Sequence, residues 1–137
     1  MNTDIQSEPD SLRIVIVDDN KMLLQIHSAI LEDIGHQPLA FDCPLGAASY
    51  LKQHGENIDI IITDYKMPNM NGLQLIQKAL EYGQNIPSMI LTGAPDDIDA
   101  NQVAQHNITI LSKPVKVELL SSQIRDLTLH GLSLQSS

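Results

Sequence analysis

Five short apolar runs recur along this 137-residue chain without the polar alternation of a half-solvated strand. They are LRIVIV (Leu12 to Val17), QPLAF (Gln37 to Phe41), IDIIIT (Ile58 to Thr63), PSMILT (Pro87 to Thr92) and TILS (Thr109 to Ser112). Strands that are apolar on both sides need cover on both faces, the situation of a parallel sheet held between helical layers. The intervening segments can supply those layers. Leu23, Ile26, Ile30 and Ile34 make one apolar stripe at helical spacing, closed by Gly35. Pro44 in a first turn and Gly55 after His54 bracket a second helix. Gly72 to Tyr82, with Leu73, Ile76 and Leu80, predicts a third that stops at Gly83. A weaker fourth runs from Asp96 to Asn107 and offers only Ile98, Val103 and small alanines to a core, so it should dock loosely. Val117, Leu120, Ile124 and Leu127 form a fifth, with Gly131 beyond it. Strand and helix alternate five times with short connections, which is the pattern of an α/β, doubly wound sheet.

One domain is expected over residues 12–129, between an acidic, disordered lead-in at 1–11 and a polar tail at 130–137. No effector domain is expected within the eight residues after Leu129, whether the chain stands alone or is a piece of a longer one. Seventeen acidic residues against eight basic ones give a net charge of −9, a field that repels nucleic-acid phosphates and anionic lipid surfaces. Neither is expected to bind directly. The single Cys43 cannot form an internal disulfide and reads as a small, semi-buried residue. With no signal-like N-terminus and no membrane-spanning run, a cytoplasmic location is expected. The five histidines lack the spacing of a metal site, which leaves surface or helix-end roles.

In doubly wound sheets ligands bind at the carboxyl ends of the strands. Asp18 and Asp19 follow the first strand, Asp64 the third, Thr92 ends the fourth and Lys113-Pro114 follows the fifth. Each has an ordinary explanation alone: a helix cap, a loop-ordering hydroxyl, a solvated lysine. Together they converge on one sheet edge, which independent caps and surface charges have no reason to do. Three neighbouring carboxylates repel one another by roughly 4 kcal/mol per close pair at an effective dielectric of 20. A hard divalent cation relieves this, and Mg²⁺, with oxygen ligands and retained waters, suits it best. One carboxylate could then accept a phosphoryl group, with Lys113 offsetting negative charge and Thr92 donating to a phosphoryl oxygen.

IVDDN at 16–20, TDYKMPNMNG at 63–72, LTGA at 91–94 and SKP at 112–114 resemble, in that order, the receiver domain of two-component response regulators. The resemblance covers roughly Leu12 to Leu129. It implies a flavodoxin-like fold of five parallel strands in the order 2-1-3-4-5, with five helices. It makes Asp64 the phosphoacceptor and Thr92 and Lys113 its catalytic partners. Mg²⁺ would be held by Asp18, Asp19, Asp64 and the backbone carbonyl of Lys66, with Asp18 acting largely through water, and the Lys113-Pro114 bond would be cis. It also implies a sensor histidine kinase or phosphotransfer protein as donor, a downstream protein on the face of helix four, strand five and helix five, and a domain that catalyses only its own modification. A homodimer stays open.

Two positions depart from the family pattern. Ile110 stands where an aromatic residue usually swings inward with the threonine, so the signal is expected to pass instead through the loop Gly93 to Asp97 and the fourth helix. Lys66 and Ala94, two residues beyond acceptor and threonine, cannot take a proton from an attacking water, so a long-lived phosphorylated state is expected, with Lys66 either on the phosphoryl oxygens or in solvent. The alternatives are a receiver that is not phosphorylated and serves as a binding or dimerisation module, and a phosphatase of the haloacid dehalogenase type. The second places an acid, not Lys66, two residues after its nucleophile.

Overall fold

The computed structural model describes residues 11–136, with side chains as far as Thr128. The apolar runs form β1 (Arg13–Val17), β2 (Gln37–Phe41), β3 (Ile60–Asp64), β4 (Ser88–Thr92) and β5 (Ile108–Ser112). All pair in parallel in one sheet of order β2-β1-β3-β4-β5, as expected. The helices are α1 (Lys21–Asp33), α2 (Pro44–His54), α3 (Gly72–Glu81), α4 (Ala100–His106) and α5 (Val117–Ser136). None of the described helices is long and apolar enough to cross a membrane.

The period of two along each strand sorts the core into two layers. Ile14, Ile16, Ile60, Ile62, Met89 and Leu91 pack with Leu24 and Leu31 of α1 and Leu120 and Ile124 of α5. Val15, Val17, Ile61 and Ile90 face the other way, against Ala47 and Leu51 of α2 and Leu73, Leu75, Ile76 and Ala79 of α3. Each large aliphatic side chain removed from water contributes roughly 1.5–3 kcal/mol. Both faces of the three central strands β1, β3 and β4 are therefore dry, and this is why those strands show no alternation.

Several details differ from the sequence reading. In α1 the buried positions are Leu24, His27 and Leu31, one residue on from the predicted stripe, and Ile26 is 47% exposed. The adjacent stripe, with Leu24 and Leu31 on either side of His27, also carries apolar residues, so periodicity establishes a helix without setting its phase. The cap sets it: the Asn20 side chain accepts Leu23 N–H as the chain leaves β1. In α3, Leu75 and Ala79 are buried while Leu80 lies outside. A 3-10 turn at Pro95–Asp97 and the Asp99 cap delay α4 to Ala100, and no residue of that helix is buried. It is held by Ile98 before it and half-buried Val103 within it, the loose docking expected of it. The last helix runs past Gly131 to Ser136, where a polar tail from residue 130 is expected. A glycine inside a helix costs about 1 kcal/mol and does not by itself end one. The acidic lead-in lies outside the described residues, Ser11 excepted.

Surface or helix-end positions are expected of the histidines; His27 is instead buried in the middle of α1, and His36, just past the end of that helix, is buried as well. Leu12 N–H donates to His36 Nδ1 at 3.2 Å, so that nitrogen must be unprotonated. Burial lowers the His36 pKa against the opposing pull of Asp59. A histidine whose folded pKa is lowered supports the fold above its unfolded value of about 6.5 and loses that support as pH falls below it. Urea denaturation at pH 7.5 and 5.5 should therefore show the protein weaker at pH 5.5. His36→Leu, which orphans Leu12 N–H, should cost about 1–3 kcal/mol at pH 7.5 and narrow the gap between the two pH values. An unchanged gap would show that His36 is not the titrating group.

Candidate functional site

Strand register assembles the site. Val17 pairs with Thr63, so the residues that follow, Asp18 and Asp64, leave the sheet side by side. Asp64 pairs with Leu91 and Thr92 with Ser112, so Thr92 and Lys113 follow one step later on the neighbouring strands. Lys113 N–H donates to the Thr92 carbonyl at 2.8 Å, joining the last two strand ends directly. The Lys113-Pro114 peptide is cis.

The Lys113 ammonium lies 3.3 Å from Asp18 Oδ2 and 3.2 Å from Asp64 Oδ1. It sits between two carboxylates whose side chains are only 4% and 16% exposed. Asn20 N–H donates to Asp18 Oδ1, and Tyr65 N–H to Asp64 Oδ1, both at 2.9 Å. Burial pushes the Asp64 pKa up; the ammonium of Lys113 opposes this and the charge of Asp18 adds to it. The buried ring of His27 feels the same cluster. Its pKa is lowered by burial and then by Lys113, against Asp18 and Asp64. Nothing in the one-dimensional spacing of His27 reveals this proximity.

Asp18, Asp19 and Asp64 each offer an oxygen, and the three atoms lie within 4.8 Å of one another. Asp19 is exposed, so the cluster opens to solvent on its side. Three hard oxygen donors, one of them open to water, fit a divalent cation that keeps part of its hydration shell. The Thr92 side chain is buried, and its hydroxyl oxygen accepts Ala94 N–H at 3.0 Å. Every predicted acidic and switch side chain thus reaches the same sheet edge. The Lys66 side chain is largely exposed, and its ammonium lies 2.8 Å from Asp97 Oδ2. Ile110 is half-buried strand core.

The loop after Asp64 is held by one glycine and one cap. Asn71 and Gln74 exchange side-chain and backbone hydrogen bonds in a capping box that starts α3. Gly72 N–H donates to the Tyr65 carbonyl at 2.8 Å. A Cβ on Gly72 would run into the Asp64 carbonyl oxygen and stand 3.0 Å from Thr63 Cγ2. The absence of a side chain there is what lets the helix start press against the backbone of Asp64.

The model of the response regulator receiver domain matches residues 14–125. The chain belongs to that family. As a receiver domain of two-component response regulators it is 38% identical, over 94 residues, to a two-component response regulator of Arabidopsis thaliana, a match covering 66% of this chain and 16% of the plant protein. It therefore spans about a sixth of that relative. The receiver protein CpdR of Brucella abortus is 28% identical over 113 residues, 82% of this chain and 92% of its own length. The receiver domain structure from Clostridium thermocellum is similar at a TM-score of 0.81 and 25% identity, covering 90% of this chain and 98% of that one.

Proposed function

We propose that this receiver domain accepts a phosphoryl group on Asp64 from the phosphohistidine of a sensor histidine kinase or phosphotransfer protein. The modified form then alters the face made by α4, β5 and α5 for a downstream protein. The observation that carries this reading is the Lys113 ammonium bridging Asp18 and Asp64 at hydrogen-bond distance. A carboxylate held beside a fixed cation is placed to attack phosphorus, and the same cation offsets the charge that develops there. A bond forms from the Asp64 carboxylate to phosphorus as the phosphorus–nitrogen bond breaks. The electron pair returns to the donor imidazole, which takes a proton from water. The Thr92 oxygen accepts from Ala94, which leaves its hydroxyl proton to donate to a phosphoryl oxygen. Mg²⁺ would be held by Asp18, Asp19, Asp64 and the Lys66 carbonyl, and when bound it would supply positive charge that offsets the negative charge of the transferring group. On this reading the domain promotes only its own modification and is not a turnover enzyme.

Mass spectrometry after incubation with acetyl phosphate and Mg²⁺ should show one phosphoryl adduct on the parent and none on Asp64→Asn. The variant should be no less stable than the parent without metal. A carboxyl with a raised folded pKa supports the fold below its unfolded pKa and loses that support as pH rises through the folded one, so a neutral amide removes a cost at neutral pH. An unmodified parent would reject the proposal in favour of a receiver used purely as a binding module.

A further inference from the structure

We propose that Lys66 and Asp97 form a strap between the loop that follows Asp64 and the turn that follows Thr92, closed in the unmodified protein and opened when a phosphoryl group on Asp64 takes over the lysine. The opening step rests on the phosphorylation reading above; the closed strap stands on the structure alone.

The ion pair joins two separate loops. Lys66 lies in the β3–α3 loop, two residues past the acceptor, and Asp97 ends the 3-10 turn that follows β4 and Thr92. What it restrains is otherwise thinly held. The turn rests on Asp97 N–H donating to Ala94 O at 3.0 Å and Ile98 N–H donating to Pro95 O at 3.2 Å, and α4 beyond it has no buried residue. Asp96, Asp97 and Asp99 crowd three negative charges into this stretch, and the Lys66 ammonium offsets them. Both partners are exposed, at 70% and 48% of their side-chain surface, so the pair biases an equilibrium by only about 1.4- to 5-fold. Such a contact is weak enough to be exchanged.

A phosphoryl group on Asp64 brings roughly −1.5 to −2 charges to the pocket. It competes with a single carboxylate for the neighbouring ammonium and repels Asp97. Losing its cation, the turn loosens and takes α4 with it. This gives a charge-driven route from acceptor to α4, where Ile110 cannot perform an aromatic ring swing.

The test is amide hydrogen exchange at Ile98 and Val103, whose N–H groups are bonded within the turn and the start of α4, in the parent, Lys66→Met, Asp97→Asn and the double variant. In unmodified protein each single variant should raise exchange at Ile98 about two- to fivefold, and the double variant no further. After acetyl phosphate and Mg²⁺, with the adduct verified by mass, the parent should rise to the level of the variants, which should themselves change less. Unmodified variants that exchange like the parent would overturn the strap. A modified parent with unchanged exchange at Ile98 would overturn its opening. If the parent takes no adduct, the phosphorylation reading and the opening step both fail, while the unmodified variants still decide whether the strap exists.

Discussion

Lys113→Met should slow phosphoryl uptake from acetyl phosphate by about 10²- to 10³-fold, the usual loss when a fixed charge at a developing anion is removed. It should also weaken the metal-free fold by about 2 kcal/mol. Taking one partner from a buried ion pair costs about 3–5 kcal/mol, and the solvent beside Asp19 lowers that figure here. The pH dependence separates this cause from general damage. Burial already raises the Asp64 pKa and Lys113 opposes it, so the variant should carry a still higher one. Its deficit should be largest near pH 7.5 and shrink as falling pH protonates Asp64, whose pKa burial already raises. Thermal denaturation at pH 7.5 and 4.5, with and without Mg²⁺, reads this out. Uptake within threefold of the parent would show that Lys113 does not act on the phosphoryl group.

Gly72→Ala should lower stability by about 3 kcal/mol, the upper range for an overpacked site, and the midpoint of thermal unfolding by roughly 10 °C. The added methyl meets backbone, the Asp64 carbonyl, and not the flexible end of a side chain. Relief requires the start of α3 to withdraw, which strains the hydrogen bond from Gly72 N–H to Tyr65 O and tilts the loop that follows Asp64. Phosphoryl uptake should fall even at temperatures where the variant remains folded. A midpoint within about 1 °C of the parent would mean that the helix start moves freely and that this contact does not hold Asp64 in place.

Much of this was legible in the residues. Alternating apolar runs and helical segments specify a covered parallel sheet because a dry strand has few other stable environments. The order of Asp18, Asp19, Asp64, Thr92 and Lys113 at the strand ends identifies the site because parallel strands all finish on one edge. Pattern alone failed where two solutions shared a period: Leu23 and Ile26 or Leu24 and His27 could each have faced the sheet, and the turn out of β1 chose the second. Gly131 was an unreliable stop because its cost is small beside the rest of a twenty-residue helix.

The sequence by itself determined the fold class and the acidic edge, which follow from periodicity and from which residue types close each strand, and its four ordered motifs carried the resemblance to the family. Only the tertiary structure decided that Lys113 bridges Asp18 and Asp64, that His36 accepts from Leu12, that Gly72 touches the Asp64 backbone and that Lys66 reaches Asp97. These contacts join residues distant along the chain, and they depend on angstrom-scale placement by strand register and helix docking, to which no local spacing is sensitive.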